Sequence, residues 1–471
     1  AAIFWSYNSW SQDILGDEVG YAFRSIGYLD YLGTSFQTTP VEWYNNLTLP
    51  WWTRLSFHDH PPFFFIIQNI FFRIFGDTVF AARLPAMIFG LLSIWFFYAL
   101  VRRFGNHKMA IIAATLFAIS GGMVSLFRSS LMEPILLGLI LFSIWSFFIF
   151  LDKPKYFWLW GASLGLIALT KYVGVFVLPA YLIYLLIFRR GIFRDYRLYL
   201  AFLIALILFS PVIVYNYYLY VQRGHFDLQL AYLFGQETPE WTAQVGKSQN
   251  PFSAIGKNFV IFYGPAGAGL FALGFLLFLI LALKSRVKNI PSPTREGLIF
   301  IGLYAFFLTL LLVFIGSAHR FLGLYAPALF IFSAAIFYKL MFVFRPVWFF
   351  RTLAAILLIT EAWYSMRMNF ANAHDFGLQK LDVYFEKEFA GRISAAIPQT
   401  DNTHFNEIIK KIARAKPKAP THLSIIVYND NVDITTILWI FTRNFFYDGV
   451  PTMYIENFIK ILTAEGARAF E

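Results

Sequence analysis

The fold class this sequence predicts is a polytopic α-helical membrane protein with a small extracytoplasmic α/β domain at its C-terminal end. Three observations predict it. Hydrophobic residues make up 58% of the 471 and charged ones only 14%, whereas soluble chains carry about 25% charged residues. Ten long apolar runs recur along the chain, most of them close to the roughly 20 residues of helix that cross a hydrocarbon core. Near residue 367 the long apolar runs stop and charged and apolar residues mix.

The elements follow in order. The opening "AAIFWSYNSW" reads as the tail of a first membrane helix, which would bring the total to about eleven. Residues 11–77 then form a first outer loop too long for a simple connection. Within it, "PPFFFIIQNIFFRIF" (61–75) is apolar but short and is interrupted by Gln68, Asn69 and Arg73. That pattern predicts a helix lying in the membrane interface. Spans are predicted at 78–101, 108–127, 134–151, 156–170, 172–188, 198–220, 259–283, 298–316, 321–338 and 347–364, of which 156–170 is short. Residues 1–366 thus form the membrane domain and 367–471 the outer one. There "HLSIIVYND" reads as a strand, and "ITTILWIFTRNFF" and "YIENFIKILTAEG" as helices. Lys410–Lys418 reads as a solvated loop. Asn46-Leu47-Thr48 fits a glycosylation acceptor, a triplet common by chance.

Charge fixes the orientation. The connections near 102–108, 153–155, 189–197, 284–295 and 339–351 hold sixteen Lys and Arg. The opposite connections, the first loop and the tail aside, hold six: Arg128, Lys171, Arg223, Lys247, Lys257 and Arg320. The richer set belongs in the cytoplasm. This accounts for the net charge of +11 without a nucleic-acid partner, and it suits a plasma membrane. With no cysteine there is no disulfide framework, thiolate metal site or cysteine nucleophile.

The outer face then carries the polar residues that could do chemistry. Asp17 and Glu18 stand side by side in the first loop. Arg128 and Glu133 bracket one junction, Lys171 ends a span, and His319 and Arg320 open another. Each has an ordinary reading. Long cations snorkel at helix ends, Glu133 favours a helix N-terminus, and a lone histidine or an acidic pair in a loop is commonly just packed or solvated. Together they suit one chemistry. A carboxylate can act as general base, while Lys, Arg and His bind a phosphate and stabilise the charge developing on it. The matching substrate is a lipid phosphate carrying a transferable group. A transporter or flippase is the rival reading, although such proteins place ionisable residues near mid-membrane. Here Glu361 is the clearest charge inside a span. A membrane-anchored scaffold is the third.

The segments "DEVGYAF" and "HDHPPFFFIIQNIFFRIFGDTVFAARLPAMIFG" (58–90), with "FRSSLMEP", "LTKYVG" and "HRFLGLYAPAL", resemble the GT-C superfamily of membrane glycosyltransferases, of the protein O-mannosyltransferase and aminoarabinose transferase type. The resemblance implies the GT-C fold and transfer of a sugar from a polyprenyl-phosphate donor to an acceptor hydroxyl on the outer face, with inversion. It makes Asp17 the catalytic acid of the pair, Glu18 its partner and Glu133 a second acidic position. It puts Arg128, Lys171, His319 and Arg320 near the donor phosphate. Tyr21, His58 and His60 fall on the acceptor side. Aminoarabinose transferases often have an arginine three residues after the aspartate, where this chain has Gly20. Arg24, one helical turn further on, would substitute. The pair lacks the spaced Asp-x-Asp of oligosaccharyltransferase relatives, which implies neither a catalytic metal nor another cofactor. Protein hydroxyls, a lipid-linked glycan, a cell-wall polysaccharide and a lipid A-like phosphate all fit as acceptors.

Overall fold

The computed structural model describes residues 12–30, 37–44, 49–240, 250–283, 292–316, 318–371, 376–389, 425–429, 431–445, 450 and 452–467. The opening apolar tail, the Asn46-Leu47-Thr48 triplet and the Lys410–Lys418 loop lie outside the described residues.

Every apolar run becomes helix. The two longest helices of the first loop are α1 (Asp17–Gly27) and α2 (Phe63–Phe75), with short helical turns at Pro40–Trp43 and Trp51–Arg54 between them. The membrane part comprises α3 (Val79–Phe104), α4 (His107–Ile119), α5 (Gly121–Phe127), α6 (Glu133–Asp152), α7 (Phe157–Thr170), α8 (Val177–Phe188) and α9 (Tyr196–Arg223). It continues, after the short α10 (Leu228–Phe234), with α11 (Pro251–Leu283), α12 (Ser292–Ile315), α13 (His319–Phe342) and α14 (Val347–Met366). Side-chain caps start several of them. Thr78 accepts from the Ala81 N–H, Asn106 from Met109, and Asp195 from Arg197, which satisfies donors that a helix start leaves open.

Among the described residues, seven helices are long and apolar enough to cross a membrane, and α4 with α5 makes an eighth, bent by 65°. The chain is therefore a multi-pass membrane protein. The predicted spans at 156–170 and 172–188 are helical but short. The span predicted at 108–127 instead bends at Ser120, between α4 and two glycines, where Ser-Gly-Gly weakens a helix.

Helix α2 explains its own polar interruptions. Ile66, Ile70 and Ile74 are exposed along one face, whereas Gln68 and Asn69 turn inward. Gln68 Nε2 donates to the Ala82 carbonyl at 2.9 Å and to Ser130 Oγ at 2.5 Å. Asn69 Nδ2 donates to the Ser25 carbonyl at 2.7 Å. The amides therefore bolt α2 to α1 and α3, and the isoleucine stripe is left exposed on the opposite face.

The hub is α6. It is buried along most of its length and packs against α3 and α7, so its first residue, Glu133, is anchored by a well-packed helix. Next to it, α7 meets α9 through Gly161 and Gly165, a small-xxx-small pair that lets two backbones approach closely. A Cβ at Gly161 would come within 2.4 Å of the Ala201 carbonyl oxygen.

Ion pairs mark one end of the bundle. Arg103 meets Asp152 at 2.7 Å and Arg189 meets Glu296 at 2.9 Å, joining connections that the charge count assigns to one side. The C-terminal elements are α15 (Leu378–Phe389), a π-helical turn Ile437–Thr442, and α16 (Ile455–Glu465). A strand β1 (Ile426–Tyr428) pairs in parallel with β2 (Thr452–Tyr454), with Ile426 opposite Thr452. Their apolar side chains do not form a separate core. Leu378, Leu438, Trp439 and Ile440 cluster with Val19 and Ala22 of α1, Phe72 of α2 and Ala82 of α3. Arg443 locks this contact through Asp77 at 3.0 Å and through Asp382.

Gly161→Ala should force α7 from α9 and cost about 1–3 kcal/mol, the usual range for overpacking. Thermal unfolding in detergent reads this as a lowered Tm; an unchanged Tm would mean the two helices have room to spare.

Candidate active site

Four charged side chains from four separate stretches meet at the end of the bundle opposite the Arg103–Asp152 pair. Glu133, the first residue of α6, is fully buried. Its Oε1 lies 2.7 Å from Lys171 Nζ, which follows α7, and 3.4 Å from Arg320 Nε, in the first turn of α13. Arg320 also pairs with Asp17, the first residue of α1. The order is therefore Lys171, Glu133, Arg320, Asp17: alternating charges on a path from the protein interior to the surface. Lys171 is 3% exposed, Arg320 27% and Asp17 51%. The Phe321 ring packs beneath both cations, 4.8 Å from Lys171 Nζ and 5.5 Å from the Arg320 guanidinium carbon. Glu133 Oε2 has no hydrogen-bond partner among the described residues.

Glu18 turns the other way. Its carboxylate meets Arg83 of α3 at 3.1 Å, and Arg83 also donates to the carbonyls of Gln12 and Asp13 at 3.0 and 2.7 Å. One guanidinium thus fixes the first turn of α1 and, with it, the position of Asp17. His319 is exposed beside Arg320. Arg128 caps α5, away from Glu133's pairs: it donates to the Asn369 carbonyl at 3.2 Å and lies 4.4 Å from the Phe370 ring. Burial, and then the neighbouring Arg83, lowers its pKa to about 10.

Arg24 joins a second cluster rather than the first. It is 1% exposed and donates to Asp59 at 2.5 Å, with Asp30 at 3.5 Å. Its charge is thus taken up by two carboxylates, and the expected stand-in for the missing arginine near a phosphate is not placed with Lys171 and Arg320. Against the cost of burial, Arg24 and His60 hold the Asp59 carboxyl well below the usual range. Burial pushes Asp30 up to about 7 and His58 down to about 3, so His58 is a neutral, packed imidazole. His60 Nδ1 lies 3.1 Å from Asp59, and its Nε2 is 3.5 Å from the Tyr21 hydroxyl. Tyr21, one turn after Asp17, connects the two clusters. Burial raises its pKa first, and the charges of Glu133 and Asp59 on either side add to that.

Sequence reasoning overlooked Arg83, Asp59, Asp30 and Asp227, which accepts from Tyr172 at 2.5 Å and Asn216 at 2.8 Å. For Arg83 a signal existed. It is an arginine in the first turns of a predicted span, where an ionised group must find a partner.

Residues 59–215 match the family described as dolichyl-phosphate-mannose-protein mannosyltransferase. The fold is similar to that of ArnT from Cupriavidus metallidurans bound to undecaprenyl phosphate, with a TM-score of 0.57 at 15% identity, over 98% of this chain and 90% of that one. It is also similar to the Archaeoglobus fulgidus oligosaccharyltransferase in its apo form, with a TM-score of 0.54 at 14% identity, over 92% of this chain and 61% of that one. The same archaeal enzyme, AglB, in complex with an inhibitory peptide and a dolichol-phosphate, gives 0.50 at 14% identity, over 88% and 59%. No curated protein matches by sequence. The resemblance read from the motifs is borne out to this extent: residues 59–215 match a mannosyltransferase family model, and the fold is similar to those of ArnT and the archaeal oligosaccharyltransferase.

The Asp30 carboxyl sets a pH test. Its folded pKa lies above the unfolded value, so its contribution is fully present below about 4 and is lost as pH rises through about 7. Asp30→Asn keeps the neutral form at every pH. Its Tm relative to wild type should therefore improve between pH 5 and pH 8; a difference that stays constant would show that Asp30 titrates alike in both states.

Proposed function

We propose that this protein is an inverting glycosyltransferase that moves a sugar from a polyprenyl-phosphate donor to an acceptor hydroxyl at the outer face of the plasma membrane. The observation that carries the reading is the Lys171–Glu133–Arg320–Asp17 chain, which links two cations through Glu133 and brings one of them, Arg320, to a half-exposed carboxylate. In this reading all ten apolar helices, the two short ones included, belong to the membrane domain. The Arg103–Asp152 end is cytoplasmic, and the C-terminal elements lie outside. ArnT bound to undecaprenyl phosphate and AglB bound to a dolichol-phosphate support a donor of this chemical class.

The chemistry is a single displacement. The acceptor oxygen attacks the anomeric carbon and gives its proton to the Asp17 carboxylate. The bond from that carbon to the phosphate oxygen breaks, and its electron pair leaves with polyprenyl phosphate. Lys171 and Arg320 bind the charge that appears there, Glu133 holds Lys171 in place, and attack from the far side inverts the centre. Glu18, through Arg83, positions the base. An apolar groove of about 260 Å³ is lined by Ile167, Gly174 and Val175, which flank Lys171 in sequence, with Ala205 and Phe209 of α9, and it suits the carrier's tail.

Asp17→Asn keeps the shape and removes the base. Turnover of a labelled polyprenyl-phosphate sugar should fall by about 10²-fold or more with the Tm unchanged. Activity within a few-fold of wild type would remove Asp17 from the chemistry. A lipid flippase, by contrast, would release no polyprenyl phosphate from such a donor in detergent.

A further inference from the structure

The geometry points to a second role for Arg320, one that rests on the reading above: in the empty enzyme it masks the base, and the donor's phosphate has to draw it away. Asp17 cannot serve as a free base in the structure as it stands, because its carboxylate is already engaged by Arg320. Its neighbour Glu18 offers no alternative partner for that arginine, being committed to Arg83 at 3.1 Å.

The cluster is built so that Arg320 can move and Lys171 cannot. Both cations reach the same oxygen of Glu133, but Lys171 is the closer, at 2.7 Å against 3.4 Å. Lys171 is almost wholly buried, whereas Arg320 is about a quarter exposed. When Arg320 leaves, Lys171 still compensates the buried Glu133, which avoids the large penalty of a stranded internal charge. Asp17 is half exposed and stands at the first position of α1, where water and the helix N-terminus stabilise the freed carboxylate. The phosphate, in turn, offers the guanidinium two oxygens at once, a stronger match than a half-solvated carboxylate.

The consequence is an order of events. Donor phosphate binds first and takes Arg320; the base is then uncovered, and an acceptor hydroxyl that arrives earlier meets no proton acceptor. Arg320 is thus a positioning residue for Asp17 before it is a ligand of the phosphate.

The test uses the full chain in detergent with undecaprenyl phosphate as probe and farnesol as the phosphate-free control. Asp17→Asn removes the competitor for Arg320, so undecaprenyl phosphate should bind about threefold tighter or more, the order expected for releasing one partly exposed ion pair. Asp17→Ser should do the same, and farnesol binding should not change. Arg320→Gln should weaken the probe, and in that background Asp17→Asn should have no further effect. Probe affinity unchanged or weakened by both Asp17 variants, while Arg320→Gln still weakens it, overturns the masking role and leaves the phosphate site standing. No effect from Arg320→Gln overturns both.

Discussion

The Glu133–Lys171 pair is the interaction on which the site depends. A buried carboxylate that stays ionised needs a compensating partner, which Lys171 supplies here, and removing one member of such a pair typically costs about 3–5 kcal/mol. The pair joins the first residue of α6 to the residue that ends α7, so it fixes the register of two packed helices as well as the place of a charge. Arg320 completes it from α13, and through Arg320 the surface helix α1 is drawn onto the bundle. Four stretches far apart in sequence are thereby held to one point.

Around that point the protein spends further buried charge on placement. Arg83 ties down the start of α1 and Arg24 its last turn, the first through Glu18 and two carbonyls, the second through Asp59 and Asp30. The amides of Gln68 and Asn69 brace α2 against α1 and α3. The C-terminal elements add their apolar face to the same assembly. The result is a first loop that is folded on the bundle, with Asp17 held at a defined position despite its exposure.

The membrane architecture was legible because its cause is compositional: an apolar run must become helix in lipid. The convergence of Asp17, Glu133, Lys171 and Arg320 was readable from polar residues stranded at helix mouths together with the family resemblance. What stayed hidden was pairing. Nothing in "DEVGYAFRS" says that Glu18 will face Arg83 and Arg24 will face Asp59, because those partners arrive from other segments and only tertiary packing selects among them. The bend at Ser120 was missed for a different reason: the run was read by its length and hydropathy, although Ser120-Gly121-Gly122 carries a local turn signal. The parallel pairing of β1 with β2 joins two stretches of three residues, too short to announce themselves by alternation.

An experimental structure with undecaprenyl phosphate bound tests the account most directly. It should show phosphate oxygens within about 3 Å of Lys171 Nζ and the Arg320 guanidinium, with Arg320 turned from Asp17 and the prenyl chain running past Gly174. A phosphate seated against His60 or Arg128 instead, with Arg320 still on Asp17, would contradict it.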